Sequence, residues 1–156
     1  AIARDVAHHA RAIGMEVATA RNLGHDLAAM RRAIDATTRV VFVANPNNPT
    51  GTWIAPDALE AFIASVPEDV LIVLDEAYVE FVTDPKALRG LDAMAERSNV
   101  VVLRSFSKAY GLAGFRVGYC VADADLAAAA RAVSLPFGVS IAEEMSASFG
   151  PLKGPL

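Results

Sequence analysis

The sequence predicts an α/β fold, in which a mostly parallel β-sheet is covered by helices on both faces. Four short runs are almost entirely apolar, as is typical of strands buried on both faces. The stretches between these runs carry apolar residues at helical spacing, and strands that alternate with helices favour a sheet between helical layers. The predicted strands are Val40–Ala44, Val70–Leu74, Val100–Leu103 and Val117–Val121.

The starts of the helices are indicated by residues that suit a helix N-terminus. Asp26 and Asp123 can each accept a hydrogen bond from the first turn, and Pro56 has the backbone angle of a first helical residue. The chain also opens with helical spacing, which ends at Gly14 before a short predicted strand. The predicted helices span about 2–13, 27–34, 56–66, 88–97 and 124–133, and the short strand spans 15–18.

Length and composition narrow the class of protein. A chain of 156 residues with a net charge of -4 fits one domain and gives no reason to expect nucleic acid or an anionic membrane as partner. A single cysteine fits a reducing compartment, so we expect a cytoplasmic protein.

The chain lacks an initiator Met and opens directly into a helix-like segment, so we expect an excerpt of a longer chain. Residues 1–145 are predicted to form the domain, and 146–156 a loop or disordered tail.

Polar residues follow three of the predicted strands. The turn-rich segment from Asn45 to Gly51 follows the first, the stretch from Asp75 to Tyr78 the second, and the stretch from Arg104 to Lys108 the third. In open α/β sheets, ligands bind at the carboxyl ends of the strands. We therefore expect these segments to converge on one site.

The residue types at these ends suit one cofactor, pyridoxal phosphate. A lysine amine can form a Schiff base with its carbonyl, and a carboxylate can keep its ring nitrogen protonated. Hydrogen-bond donors can bind the ring oxygen, while hydroxyls and an arginine can bind the phosphate. Lys108, Asp75 and Tyr78 supply the first three kinds of group.

Three ordered segments resemble the fold-type I, class-II-like aminotransferases, and more narrowly their histidinol-phosphate aminotransferase branch. They are VFVANPNNPTG at 41–51, LDEAYVEF at 74–81 and RSFSKAYGLAGFRVGY at 104–119. The flanking GHDLAAMRRAI at 24–34 and PFGVS at 136–140 are similar to the same branch. The resemblance implies the three-layer αβα large domain of these enzymes, with a mixed seven-stranded sheet in which Val117–Val121 runs antiparallel.

The resemblance also implies a role for each matching residue. Lys108 would form the Schiff base and later move the proton during transamination, and Asp75 would pair with the pyridine nitrogen. Asn48 and Tyr78 would bind the ring oxygen. The phosphate would be bound by Ser105, Ser107 and Arg116. The implied reaction exchanges an amino group between glutamate and imidazole-acetol phosphate in histidine biosynthesis, in a homodimer.

Parts of the family's site have no match in these 156 residues. An upstream phosphate loop, a ring-stacking aromatic and the arginine for the substrate carboxylate are missing, and 141–145 fit the family pattern poorly. We therefore expect no turnover from this chain alone. Alternatives within the fold are an aromatic amino-acid aminotransferase and a threonine-phosphate decarboxylase. A non-catalytic module and a dinucleotide-binding domain are more distant alternatives, and the latter lacks its glycine fingerprint.

Several residues admit a purely structural interpretation. Asn45, Asn47 and Asn48 all suit a turn, and only the resemblance favours Asn48 as the cofactor residue. Glu76 is predicted to be structural, and Trp53 to lie in the core or at the edge of the site. His8, His9 and His25 form no metal-ligand pattern with Cys120, which is predicted to be inert inside a buried strand.

Overall fold

In the part of the chain that the structure describes, the fold is a four-stranded sheet with helices packed against it. The computed structural model describes residues 23–87 and 89–133. The strands lie in the order β1-β2-β3-β4. The first three run parallel and the fourth runs antiparallel to β3, as the family resemblance implied. The bounds are Val40–Ala44 for β1, Leu71–Asp75 for β2, Val100–Ser105 for β3 and Gly118–Val121 for β4.

The helices confirm the predicted order and most of the predicted starts. Asp26 Oδ1 accepts a hydrogen bond from the Ala29 N–H at 2.8 Å, and Pro56 is the first residue of its helix. The helices are α1 (Leu27–Ala33), α2 (Pro56–Ser65), α3 (Gly90–Glu96) and α4 (Ala124–Val133), with 3-10 turns at Val79–Phe81 and Ala113–Phe115. The helix at 2–13, the strand at 15–18 and everything predicted beyond 133 lie outside the described residues.

Two strands extend beyond their apolar runs. The ladder pairs Asp75 of β2 with Leu103, and Ser105 of β3 with Gly118 of β4. The antiparallel partner thus draws the polar end of β3 into the sheet, although hydrophobicity alone ends that strand at Leu103. Asp75 and Ser105 are therefore strand residues, not loop residues.

The main core cluster lies on one face of the sheet. Val41 and Val43 of β1 belong to it, and so do apolar residues of α1, α2 and α3. On the opposite face Val40 and Phe42 are 41% and 53% exposed. The prediction that β1 is buried on both faces is therefore wrong for the described residues, because the helices that pack on the core all lie on the face of Val41 and Val43.

The fourth strand also differs from its prediction. Most of β4 is exposed, including Cys120, whereas the sequence predicted a buried strand with an inert cysteine. Only its last residue, Val121, packs against the core cluster. Among the described residues β3 is its only strand neighbour, so one edge of β4 has no ladder partner there.

Gly90, the first residue of α3, lies against the core where a side chain does not fit. An added Cβ would lie 2.5 Å from Val102 Cγ2 and 3.2 Å from Leu74 Cδ1, both in fully buried side chains. We expect Gly90→Ala to lower the free energy of unfolding by about 1–3 kcal/mol, as overpacking does elsewhere. Urea denaturation measures it. Gly114→Ala is the matched control, since its Cβ would have no atom within 4 Å, and an equal loss in both variants would contradict the packing argument.

No helix of residues 23–87 and 89–133 is long and apolar enough to cross a membrane.

Candidate active site

Polar loops meet at the carboxyl ends of β1, β2 and β3. The Asn45 N–H donates to the Asp75 carbonyl oxygen at 2.9 Å, and the Glu76 N–H donates to the Leu103 carbonyl oxygen at 2.9 Å. These bonds continue the parallel ladder past the strands, so the three segments that follow β1, β2 and β3 leave the sheet side by side. The expected convergence of the three polar segments is thus confirmed at the level of the backbone.

The three asparagine side chains of the loop after β1 make different hydrogen bonds. Asn45 is buried and its Oδ1 accepts from the Ile54 N–H at 2.8 Å. Asn47 Nδ2 donates to Thr50 Oγ1 at 2.7 Å, which closes the turn. Asn48 instead extends an exposed side chain to the second loop, where its Nδ2 donates to the Tyr78 hydroxyl at 3.1 Å. Gly51 completes the turn with φ +67°, a conformation that favours glycine.

Lys108 joins Asn48 and Tyr78 in space. Its ammonium nitrogen lies 5.3 Å from the centroid of the Tyr78 ring, within the range of a cation–π contact. Asn48, Tyr78 and Lys108 come from the loops after β1, β2 and β3 respectively, and the structure brings all three together. This three-loop contact is the cluster that the sequence predicted.

Asp75 ends β2 with an exposed carboxylate. Its Oδ1 accepts the Ala77 N–H at 3.0 Å, which orients the side chain at the mouth of the loop. Asp75 pairs in register with Ala44 on one side and with Leu103 on the other. The carboxylate therefore lies between the loop that carries Asn48 and the strand that leads to Lys108.

The three residues predicted to bind phosphate are less closely grouped. Ser105 Oγ accepts the Ser107 N–H at 3.0 Å, so the two serines share one turn. Arg116 is exposed, has φ 59°, and its Nη1 donates to the Ala113 carbonyl oxygen at 3.0 Å. Among the described residues no hydrogen bond joins Arg116 to either serine.

A buried ion pair lies directly behind the site. Glu76 Oε2 accepts from Arg104 Nε at 3.0 Å and from Arg104 Nη2 at 2.8 Å. Glu76 Oε1 accepts from the Gly90 N–H. Burial lowers the pKa of Arg104, but the hydrogen-bonded Glu76 carboxylate and the nearby Tyr119 side chain outweigh that effect, so the pKa is raised overall.

Arg104 is not among the site residues predicted from the sequence, and Glu76 is predicted to be structural. A signal was present, because Arg104 is in phase with Val100 and Val102, the inward-facing residues of β3. A charged residue at an inward position of a strand needs a buried partner.

An open cleft of about 460 Å³ borders this cluster. Asn48 and Tyr78 line it together with Trp53 and Phe81. Trp53 therefore lies at the edge of the candidate site, which is one of the two positions predicted for it. His25 packs beside the first strand, where its Nε2 donates to the Ala44 carbonyl oxygen at 2.8 Å. No group of three or more His, Cys, Asp or Glu residues that could hold a metal occurs in the described part of the chain.

Known proteins share this sequence and fold. The family model "Aminotransferase class I and II" matches residues 5–148. The histidinol-phosphate aminotransferase 2 of Pseudomonas aeruginosa is 54% identical over 132 residues, which cover 83% of this chain and 36% of that protein. The aromatic amino acid aminotransferase of Streptomyces avermitilis is 58% identical over 116 residues, covering 74% of this chain and 32% of that protein.

A solved structure shows the same fold. The histidinol-phosphate aminotransferase of Sinorhizobium meliloti, in complex with pyridoxal-5'-phosphate, superposes with a TM-score of 0.69 at 38% identity. The match covers 81% of this chain and 34% of that one, so the chain spans about a third of the length of its relatives. The fold class is thus confirmed as that of the fold-type I enzymes. With a family model that matches almost its whole length, the chain belongs to the class I and II aminotransferases.

Proposed function

We propose that this chain is the central part of the cofactor-binding domain of a pyridoxal-phosphate-dependent transaminase, with the domain over 1–145 and a tail over 146–156. The contact of Asn48, Tyr78 and Lys108 across three loops, beside Asp75, carries the proposal. A non-catalytic module has no need to bring an amine, a phenol and an amide together at the strand ends. The chain's membership of an aminotransferase family supports the same conclusion.

The side chains of the site fit pyridoxal phosphate. Lys108 would bond its carbonyl carbon, and Asp75 would hold a proton on its ring nitrogen. Tyr78 and Asn48, already 3.1 Å apart, would both face its ring oxygen. Ser105, Ser107 and Arg116 would bind its phosphate. When bound, the cofactor supplies an electron sink for the bonds at the substrate's α-carbon.

Each of these site residues would have a defined role in that chemistry. Lys108 Nζ would hold the cofactor and would also be the base that takes the proton from the substrate's α-carbon. The Asp75 carboxylate would stabilise positive charge at the ring nitrogen, because a nearby anion favours the protonated form. The Tyr78 hydroxyl and the Asn48 amide would orient the ring by hydrogen bonds.

For the whole protein we propose histidinol-phosphate:2-oxoglutarate aminotransferase activity in histidine biosynthesis. The similarity to the Pseudomonas aeruginosa enzyme over 83% of this chain supports it. Aromatic amino-acid transamination is the second candidate, supported by 58% identity to the Streptomyces avermitilis enzyme, and threonine-phosphate decarboxylation is a third. We further propose a cytoplasmic homodimer, and no turnover by the 156 residues alone.

Substrate competition distinguishes these activities. The full-length protein is assayed with 2-oxoglutarate and either histidinol phosphate, phenylalanine or tyrosine, and kcat/KM is compared. A higher kcat/KM for histidinol phosphate supports the first proposal, and turnover of the aromatic amino acids alone would replace it with the second. Release of CO2 from threonine phosphate would favour the decarboxylase.

Binding of the cofactor is tested separately from substrate choice. The protein is mixed with pyridoxal phosphate, its visible absorption is recorded, and the adduct is reduced with borohydride and mapped by peptide mass. A reduced adduct on Lys108 supports the proposal. A full-length protein that forms no specific adduct would refute it.

Tyr78→Phe removes one hydrogen bond to the ring oxygen and keeps the aromatic ring. A single hydrogen bond of this kind is worth about 1–1.5 kcal/mol, so we expect the Kd for pyridoxal phosphate to rise about tenfold. Fluorescence titration of the apoprotein measures it. Tyr110→Phe is the matched control, because the Tyr110 ring packs on Phe106 at 5.3 Å and keeps that contact. An equal rise in both variants would remove Tyr78 from the proposed site.

A further inference from the structure

We propose that the ion pair between Glu76 and Arg104 positions Lys108 relative to Asp75, so that both residues are positioning residues for the reaction. This inference rests on the proposed function and adds two residues to it. Glu76 directly follows Asp75, and Arg104 lies four residues before Lys108. The pair therefore joins the two chain segments that carry the proposed base and the proposed partner of the ring nitrogen.

Successive side chains along a strand point to opposite faces of the sheet, and this alternation places the ion pair on the face opposite the candidate site. Arg104 lies in phase with Val102, whose side chain is fully buried in the core. Asp75 pairs in register with Leu103, which points to the opposite face. Ser105 also lies on that opposite face, one residue after Arg104. The proposed reactive groups and the ion pair thus occupy opposite faces at the same end of the sheet.

The pair has one well-defined geometry. The side chains of Arg104 and Glu76 are only 12% and 4% exposed, and two guanidinium nitrogens contact the same carboxylate oxygen. The other carboxylate oxygen binds the Gly90 N–H at the start of α3. A buried ion pair contributes little net stability compared with apolar side chains of equal volume, but its donors and acceptors are satisfied in one arrangement only. Such a pair is suited to setting the offset between β2 and β3.

The segment that carries Lys108 follows the position of β3. The Gly111 N–H donates to the Lys108 carbonyl oxygen at 3.0 Å, and the Leu112 N–H donates to the Phe106 carbonyl oxygen at 3.0 Å, which closes the turn on itself. The Phe106 N–H donates to the Val117 carbonyl oxygen at 3.2 Å, which ties the turn to the start of β4. A shift of β3 against β2 therefore moves the whole turn, and Lys108 with it, relative to Asp75.

The test compares three variants of the full-length protein: Glu76→Gln, Arg104→Lys and Leu59→Ala. Leu59 is a buried residue of α2 outside the strand-end loops, so its variant destabilises the core alone. We measure thermal unfolding, amide hydrogen exchange of residues 105–112 in the apoprotein, and the Kd for pyridoxal phosphate. Wild-type adduct formation at Lys108 is recorded in parallel.

We expect Glu76→Gln to speed exchange in 105–112 and to raise the Kd by about 10- to 100-fold, which corresponds to about 1.4–2.8 kcal/mol of binding free energy, because a displaced Lys108 segment would contact the cofactor less well. Arg104→Lys, which keeps the charge, should show a smaller rise. Leu59→Ala should lower the Tm at least as much and leave the Kd unchanged. If Glu76→Gln does not fold, Arg104→Lys is compared with Leu59→Ala alone.

Either of two results would overturn the inference: an unchanged Kd in the ion-pair variants, or a Kd that follows the Tm in all three variants. With a wild-type adduct on Lys108, those results remove the positioning role and leave the proposed function intact. A wild-type protein without that adduct removes the proposed function, and the positioning role with it.

Discussion

We expect replacement of Lys108 with alanine to abolish the reducible adduct with pyridoxal phosphate and to lower the proposed transaminase activity of the full-length protein by about 10²–10⁴-fold or more. The reason is that alanine supplies neither the amine that bonds the cofactor nor the base that moves the substrate proton. No other lysine accompanies Tyr78 and Asn48 among the described residues. The loss is therefore not made up by a neighbouring amine.

Absorption spectra and borohydride reduction followed by peptide mapping measure the effect. Lys86→Ala is the matched control: it removes an exposed lysine from the segment around Asp84, where the Lys86 N–H donates to Asp84 Oδ1 at 2.8 Å. That backbone bond survives the substitution. An adduct that persists in Lys108→Ala, or disappears in Lys86→Ala, contradicts the assignment.

Glu76→Ala lowers the free energy of unfolding by about 3–5 kcal/mol, the usual cost of leaving one member of a buried ion pair without its partner. Arg104 would keep its charge, because the guanidinium does not lose its proton in proteins, and little solvent reaches it. The Gly90 N–H would also lose its acceptor. Both effects act on the folded state, so the loss of stability is large.

Urea denaturation of wild type and variant gives the difference in unfolding free energy. Glu80→Ala is the matched control, since Glu80 is an exposed glutamate in the 3-10 turn four residues further along the chain. We expect its change to lie within about 0.5 kcal/mol, as for other surface substitutions. Similar losses in the two variants would show that the ion pair does not contribute as described.

Local patterns predicted the elements well because each pattern acts within one turn or one strand. The Asp26 cap, the Pro56 helix start and the position of β1 all agree with the structure. Bounds failed where a partner strand decided them. Ser105 belongs to β3 because Gly118 pairs with it, and that pairing is not visible in the apolar run.

The candidate site was predictable to a similar degree. The motifs pointed to three strand-end loops, and the structure brings Asn48, Tyr78 and Lys108 of those loops together. The roles of Asp75, Ser105, Ser107 and Arg116 stay predictions, and the structure leaves Arg116 without a bond to either serine. Arg104 was not found because its role depends on a partner 28 residues away in sequence.

The sequence by itself determined the order of helices and strands, the three motifs and the identity of the residues at the strand ends, because capping, periodicity and turn chemistry are local. Only the tertiary structure decided which asparagine reaches Tyr78, that Glu76 pairs with Arg104, and that Phe42 and Cys120 are exposed. Each of these depends on contacts between segments far apart in the chain. An apolar side chain is more stable when buried, but the packing of other elements decides whether it is covered.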